Sequence, residues 1–226
     1  MTDLPDSSSG REPRSVGALP QGLSTGATVL VAGSTDPSHH AVGFQIVSRL
    51  GDADDAVLAV TTTESAGETV EAAERVYPDG DSPRLGVVDT SSRQQSIAAP
   101  AGEVPTVYTP SPGDLERLVV GLTELSADGP PATGARHLLV RSLTPVLATV
   151  PTDQVCSMLA QISGIRTDSG VTLVGVDYTA HDEETMAALA ERVDGILWVA
   201  PGSDGTLDLE YEPARGRFEE FSRRPR

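Results

Sequence analysis

The sequence predicts a three-layer α/β fold, a mainly parallel central sheet flanked by helices, and two observations carry that expectation. The first is alternation. Apolar runs of strand length at 28–31, 56–60, 85–88, 107–108, 137–140, 171–176 and 196–199 are separated by stretches of helical spacing. Strands apolar on both faces must be covered on both faces, and a helix between successive strands is the crossover that a parallel pair requires. The second is size: 226 residues with 38% hydrophobic content can bury one sizeable core and leave little room for another.

The helices between the strands have readable starts. After the first strand, Val42, Phe44, Ile46, Val47 and Leu50 mark a helical stretch. Ser65-Ala66-Gly67-Glu68 has capping-box spacing ahead of Val70, Ala73 and Val76, and Ser111-Pro112-Gly113-Asp114 precedes Leu115, Leu118, Val119 and Leu122. A further helix begins near Thr152, with Val155, Cys156, Met158, Leu159 and Ile162 as its inward stripe. The last follows His181, buries Met186, Leu189 and Val193, and is expected to stop at Gly195. Residues 206–211 alternate like an edge strand, and 126–134 have the composition of a surface connection. Residues 1–25, rich in Ser, Gly, Pro and Asp, read as a flexible or loosely attached lead-in; 26–213 form the domain, and 214–226 an Arg-rich tail or one more edge strand.

Charge narrows the function. Against 33 Asp plus Glu stand 16 basic residues, a net charge of −17, and every one of the 16 is Arg. Lysine is absent. Such a field repels phosphate polymers and anionic membranes, so general nucleic-acid binding is disfavoured, and it suits the high-salt cytoplasm of a halophilic archaeon. The lone Cys156 cannot form an internal disulfide and reads as a small buried hydrophobe. No apolar run approaches the ~20 residues of a membrane span, and the first residues lack the apolar stretch of a secretory signal, so a cytoplasmic protein is expected.

Ligands of open α/β sheets sit at the carboxyl ends of the strands. There the first strand runs into Gly33-Ser34-Thr35-Asp36-Pro37-Ser38-His39-His40 and then a helix, the layout of a phosphate-binding loop. In a working loop a second glycine lets N–H groups curl around the phosphates, a lysine neutralises them, and Ser or Thr holds magnesium. Here those three places hold Ser38, His39 and His40, and Asp36 adds a negative charge. Other constellations are poorer. His39, His40 and Asp36 with His181 and Asp182 would need adjacent imidazoles to converge on one ion. Ser34, Ser38 or Ser142 with a histidine lacks the G-x-S-x-G elbow of a hydrolase.

Residues 22–221 resemble the KaiC-like branch of the RecA superfamily and its divergent halophilic archaeal allies. The resemblance rests on ordered local wording: Gly26-Ala27-Thr28-Val29-Leu30-Val31-Ala32-Gly33 leading into the loop; Val60-Thr61-Thr62-Thr63-Glu64-Ser65 at the second strand; Leu138-Leu139-Val140-Arg141-Ser142-Leu143-Thr144-Pro145 at the Walker B strand. The strand 170–177 with Thr179-Ala180-His181-Asp182, then 190–198 with Asp194-Gly195, follow in order. The resemblance implies a RecA/P-loop fold in which Arg141 stands where the magnesium-holding aspartate belongs and Glu64 where the catalytic carboxylate belongs. Glu64 also suits a helix N-terminus, and Arg141 suits either an anion contact or an ion pair with Glu64 or Asp89 that closes the cleft.

The expectation is therefore a pseudo-ATPase with no catalytic residues, no metal and no cofactor, its vestigial nucleotide site comprising Gly33, Ser34, Ser38, His39, His40, Glu64 and Arg141. It would act as a regulatory or scaffolding partner, monomeric or dimeric, of an active ATPase or signalling protein. The alternatives are a nucleotide or anion sensor without hydrolysis and a DNA-binding RecA paralogue. For the last, Arg215, Arg217, Arg223, Arg224 and Arg226 are the only support; they also suit an acidic partner.

Overall fold

The computed structural model describes residues 14–77, 83–92, 104–128 and 133–214. Its strands are β1 (Thr28–Gly33), β2 (Ala56–Thr61), β3 (Arg84–Asp89), β4 (Thr106–Tyr108), β5 (Arg136–Val140), β6 (Thr172–Asp177), β7 (Gly195–Pro201) and β8 (Leu207–Pro213). The helices are α1 (Val42–Leu50), α2 (Ala66–Val76), α3 (Leu115–Asp128), the single turn α4 (Thr144–Leu147), α5 (Thr152–Ile162) and α6 (Glu183–Ala190). All strands join one sheet in the order β4-β3-β2-β5-β6-β1-β7-β8, parallel except for β8, which returns antiparallel to β7.

Period-two alternation divides the core between the two faces of the sheet. Leu30, Ala32, Leu58, Val60, Val174 and Val176 pack under α3, α5 and α6, whereas Val29, Val31, Val57, Ala59 and Leu173 pack under α1 and α2. Helix α2 starts as its sequence dictates: Ser65 Oγ accepts from the Glu68 amide at 3.3 Å, and Glu68 returns a carboxylate to the Ser65 amide at 2.7 Å. The Cys156 stripe is buried as expected, and burial pushes the thiol pKa up.

Two elements differ from the sequence reading. Helix α6 stops at Ala190, so Val193 is buried from a turn and Gly195 opens β7. The cause is Asp194, whose amide donates to Thr28 O at 2.8 Å and whose carboxylate accepts from the Thr28 amide at 2.9 Å, pulling the chain into the sheet early. The lead-in is docked from residue 14 onward: Val16 is buried and pairs with Leu207 at the start of β8. Gln45 on α1 accepts from the Val16 amide at 2.7 Å and donates to Arg14 O at 2.9 Å, and Arg49 donates to the carbonyls of Val16 and Gly17. The proposed tail or strand over 215–226 lies outside the described residues, and no helix among the described residues is long and apolar enough to cross a membrane.

At the amino end of β5, His137 is fully buried, with Nε2 3.0 Å from Asp55 and Nδ1 accepting from the Val171 amide at 3.2 Å. Because Nδ1 accepts, the proton sits on Nε2 and is donated to Asp55. Asp55 also accepts from the amides of Asp52 and Ala135. Burial pushes its pKa up, but the His137 and backbone hydrogen bonds outweigh that and hold it below the ordinary value. A depressed carboxylate pKa stabilises the fold above the unfolded-state value and ceases to do so as pH falls through the folded one. Asp55→Asn should therefore cost about 1.5–3 kcal/mol near neutral pH, and denaturant midpoints should show that gap narrowing below about pH 4.

Candidate functional site

The site lies at the carboxyl ends of β1, β2, β5 and β6. Because β6 separates β1 from β5, the loop after β1 must cross over β6 to reach the residues that follow β5. Gly175 permits the packing: a Cβ there would stand 2.1 Å from the Arg141 carbonyl oxygen.

That loop is wound inward. Asp36 caps a 3-10 turn, Pro37–His40, by accepting from the Ser38 amide at 2.9 Å, and Ala41 closes it in the left-handed region, φ 50° and ψ 32°. Its other carboxylate oxygen accepts from Ser142 Oγ at 2.5 Å, which ties the loop to the segment after β5. A loop that holds phosphate turns its N–H groups toward the ligand. Here the buried Ser38 turns its carbonyl toward the site, where it accepts from Arg141 Nη2 at 2.9 Å.

Arg141 is the centre of the arrangement. It is only 4% exposed, Nη1 donates to Glu64 Oε2 and to Thr69 Oγ1 (2.9 Å to the latter), and its guanidinium carbon lies 5.7 Å from the centroid of the Phe44 ring. One side chain thus joins the loop, the turn after β2, and helices α1 and α2. Glu64 is fixed in turn, its carbonyl accepting from Thr61 Oγ1 at 2.7 Å and from Ser91 Oγ at 2.6 Å. Of the two ion pairs open to Arg141, the one formed is with Glu64. Asp89 instead accepts from the Ala66, Ser91 and Ser92 amides and the Ser91 and Ser92 hydroxyls. Burial raises its pKa, but those hydrogen bonds outweigh burial and leave it lowered. The space left among Ser38, Phe44, Leu139, Arg141 and Gly175 is about 10 Å³. A void of that size holds one water molecule at most, far less than a phosphate.

The sequence-selected residues fall into two groups. Ser38, Glu64 and Arg141 meet in this cluster. Gly33, Ser34, His39 and His40 instead line a separate cleft of about 300 Å³ with Arg14 and the end of β7. Neither histidine reaches Arg141's cluster. Ser142 binds Asp36 and Ser38 Oγ lies 3.5 Å from Thr63 Oγ1, so neither serine is paired with an imidazole. His181 lies 3.4 Å from Thr144 Oγ1, and among the described residues no group of three His, Cys, Asp or Glu converges to hold an ion. Two partners of Arg141 went unread. Thr69 sits on the buried side of α2 with Ala66, Ala72 and Ala73, and a polar group on an apolar stripe was the available signal. Nothing in the spacing of Phe44 distinguishes a ring beneath a guanidinium from an ordinary core ring.

Removing Arg141 would leave Glu64 without its cation and strip two further acceptors of their donor. Arg141→Ala should cost about 3–5 kcal/mol in chemical denaturation. Arg141→Lys should recover only a minor part, because a single ammonium cannot reproduce the guanidinium fork that spans Ser38, Thr69 and Glu64.

The architecture is an eight-stranded, mainly parallel sheet flanked by helices on both faces. Among solved structures, the uncharacterized protein PH0321 from Pyrococcus horikoshii, determined in complex with an unknown peptide, is similar with a TM-score of 0.51 at 11% identity, over 84% of each chain. A prototypical ATPase from the type III secretion system of pathogenic bacteria gives a TM-score of 0.45 at 13% identity, over 78% of this chain and 51% of that one. No protein of curated function matches the sequence. A family model does, over residues 26–199, and the chain accordingly belongs to the family of unknown function DUF7504.

Proposed function

We propose that this chain is a non-catalytic, KaiC-like member of the RecA superfamily that works as a regulatory or scaffolding partner of another protein, an active ATPase or a signalling protein. The observation that carries the reading is the buried Arg141 guanidinium, bonded to Glu64, Thr69 and the loop carbonyl of Ser38, with only about 10 Å³ of free space between it and Phe44, Leu139 and Gly175.

Phosphoryl transfer needs cations on the phosphate oxygens, a carboxylate on magnesium and a positioned base for water. In this chain a cation stands at the metal position and neutralises the carboxylate that would act as base. The loop offers it a carbonyl. An occupied site of this kind leaves the apolar core intact, and a folded shell without its chemistry is suited to being recognised by a partner. The acidic, lysine-free composition fits a halophilic archaeal cytoplasm, so activity belongs in multimolar potassium chloride. A nucleotide sensor without hydrolysis would require the Arg141–Glu64 pair to open, and a net charge of −17 opposes DNA.

Purified protein in multimolar salt with magnesium should show no ATP hydrolysis above buffer, and calorimetry with ATP, ADP and cyclic dinucleotides should show no saturable heat. Turnover that His39→Ala abolishes would refute the reading. Heat without turnover would favour the sensor.

A further inference from the structure

The sheet edge formed by β8 is closed at its first rung only. The Thr206 carbonyl accepts from the Gly202 amide and the Ala214 amide donates to Asp194 O, both toward β7. The Leu207 amide and carbonyl turn the other way and bond to Ser15 O and to the Gly17 amide of the lead-in, at 2.9 and 2.8 Å. Main-chain direction alternates along an antiparallel strand, so Leu209 and Tyr211 present their N–H and C=O groups on the same outer side as Leu207. The lead-in does not follow them. Arg49 takes the Gly17 carbonyl, and the lead-in keeps to the α1 side of the sheet, where Leu19 and Leu23 pack into the same cluster as Leu209 and Tyr211. Among the described residues nothing bonds to the outer main-chain groups of Leu209 and Tyr211.

An edge that takes one rung of a strand and leaves the next two open is a template for strand addition. The two faces of β8 fix the chemistry of the strand that fits. One face presents Leu207, Leu209 and Tyr211, the other Asp208, Glu210 and Glu212, and no residue of β8 is basic. Asp208 and Glu210 are exposed. A second copy paired edge to edge about a twofold axis would set one row of carboxylates against the same row, and like charges directly opposite oppose pairing. The net charge of −17 adds to that repulsion. An extended segment alternating apolar and basic residues matches both faces.

We infer that the outer edge of β8 is an interaction surface, at which Leu209 and Tyr211 pair main chain to main chain with an extended partner segment that alternates apolar and basic residues. Strands β7, β1 and β6 separate this edge from β5 and the Arg141 that follows it, so its occupancy is independent of the closed loop.

Fluorescence anisotropy with the full chain and a labelled short peptide alternating Val and Arg, in graded potassium chloride, tests this alongside amide hydrogen exchange followed by NMR. The peptide should saturate at 1:1, and its counterpart alternating Val and Glu should not bind. The Leu209 and Tyr211 amides should exchange rapidly in the unbound chain and at least tenfold more slowly in the complex. Leu209→Pro removes one outward N–H and none of the β7 ladder, and should weaken binding at least tenfold with unchanged far-UV circular dichroism. Leu209→Ala, which keeps the N–H, should stay within threefold; if Leu209→Pro unfolds, the exchange rates in the unaltered chain decide. Absence of saturable binding overturns the inference, as does binding that survives Leu209→Pro, which is charge attraction without strand pairing. Leu209 and Tyr211 amides already protected in the unbound chain would mean that another segment of this chain or a second copy covers the edge, which also overturns it. The ATP hydrolysis measurement is untouched by any of these outcomes, so the non-catalytic reading stands or falls separately.

Discussion

Burying a guanidinium removes it from water at a cost of several kcal/mol, and a single carboxylate a quarter exposed does not by itself repay that. Arg141 is held by several contacts at once: a charge partner in Glu64, neutral acceptors in Thr69 and Ser38, and the π face of Phe44 beneath it. A pair of this kind contributes less to net stability than to position. It selects the one loop conformation in which the Ser38 carbonyl points inward, and that conformation is incompatible with N–H groups converging on an anion. The loop's shape thus depends on the residue after β5 as well as on the loop's own Asp36 cap and Ala41 turn.

Topology explains why one residue can have that reach. Strand β6 intervenes between β1 and β5, so the groups that follow β5 face the loop across the end of a strand that contributes Gly175 there. A side chain long enough to cross that gap and flat enough to bond on more than one edge is required. Lysine satisfies the first condition and fails the second. The absence of lysine throughout the chain therefore has two separate meanings: on the surface it is a matter of composition, whereas at position 141 the geometry itself demands arginine.

Much of this was legible in the sequence. Strand order along the chain, the capping box at Ser65 and the inward stripe at Cys156 follow from residue type and local spacing, and Ser38, His39 and His40 were singled out by counting along the loop, whereas Arg141 was singled out by the family resemblance. What local spacing cannot specify is which distant acceptor a buried donor will find. Glu64 and Asp89 were equal candidates for Arg141 until the structure showed Asp89 saturated by two amides and two hydroxyls of Ser91 and Ser92 and by the amide of Ala66. The docking of 14–17 was hidden for a related reason: its hydrogen bonds go to Gln45, Arg49 and β8, none of which its own polar composition reveals. The division of the loop residues between two clefts is likewise a property of the 3-10 turn, which sends Ser38 inward and His39 outward.

The two buried polar pairs share a logic. Asp55 precedes β2 and Glu64 follows it by a short turn; His137 lies at the start of β5 and Arg141 just past its end. Strands β2 and β5 are neighbours, with Ala56 opposite Arg136 and Val60 opposite Val140. The Asp55–His137 pair therefore fastens this strand pair at its amino end and Glu64–Arg141 at its carboxyl end, with only apolar side chains from Leu138 to Val140 between them. A slip of one residue would turn each buried side chain of β5 to the opposite face and break both pairs. Apolar packing alone is tolerant of such errors among Val, Leu and Ala. Two polar fasteners at the ends of one ladder are not, and the carboxyl-end fastener is the same contact that holds the loop after β1, so the register of this strand pair and the position of that loop share Arg141.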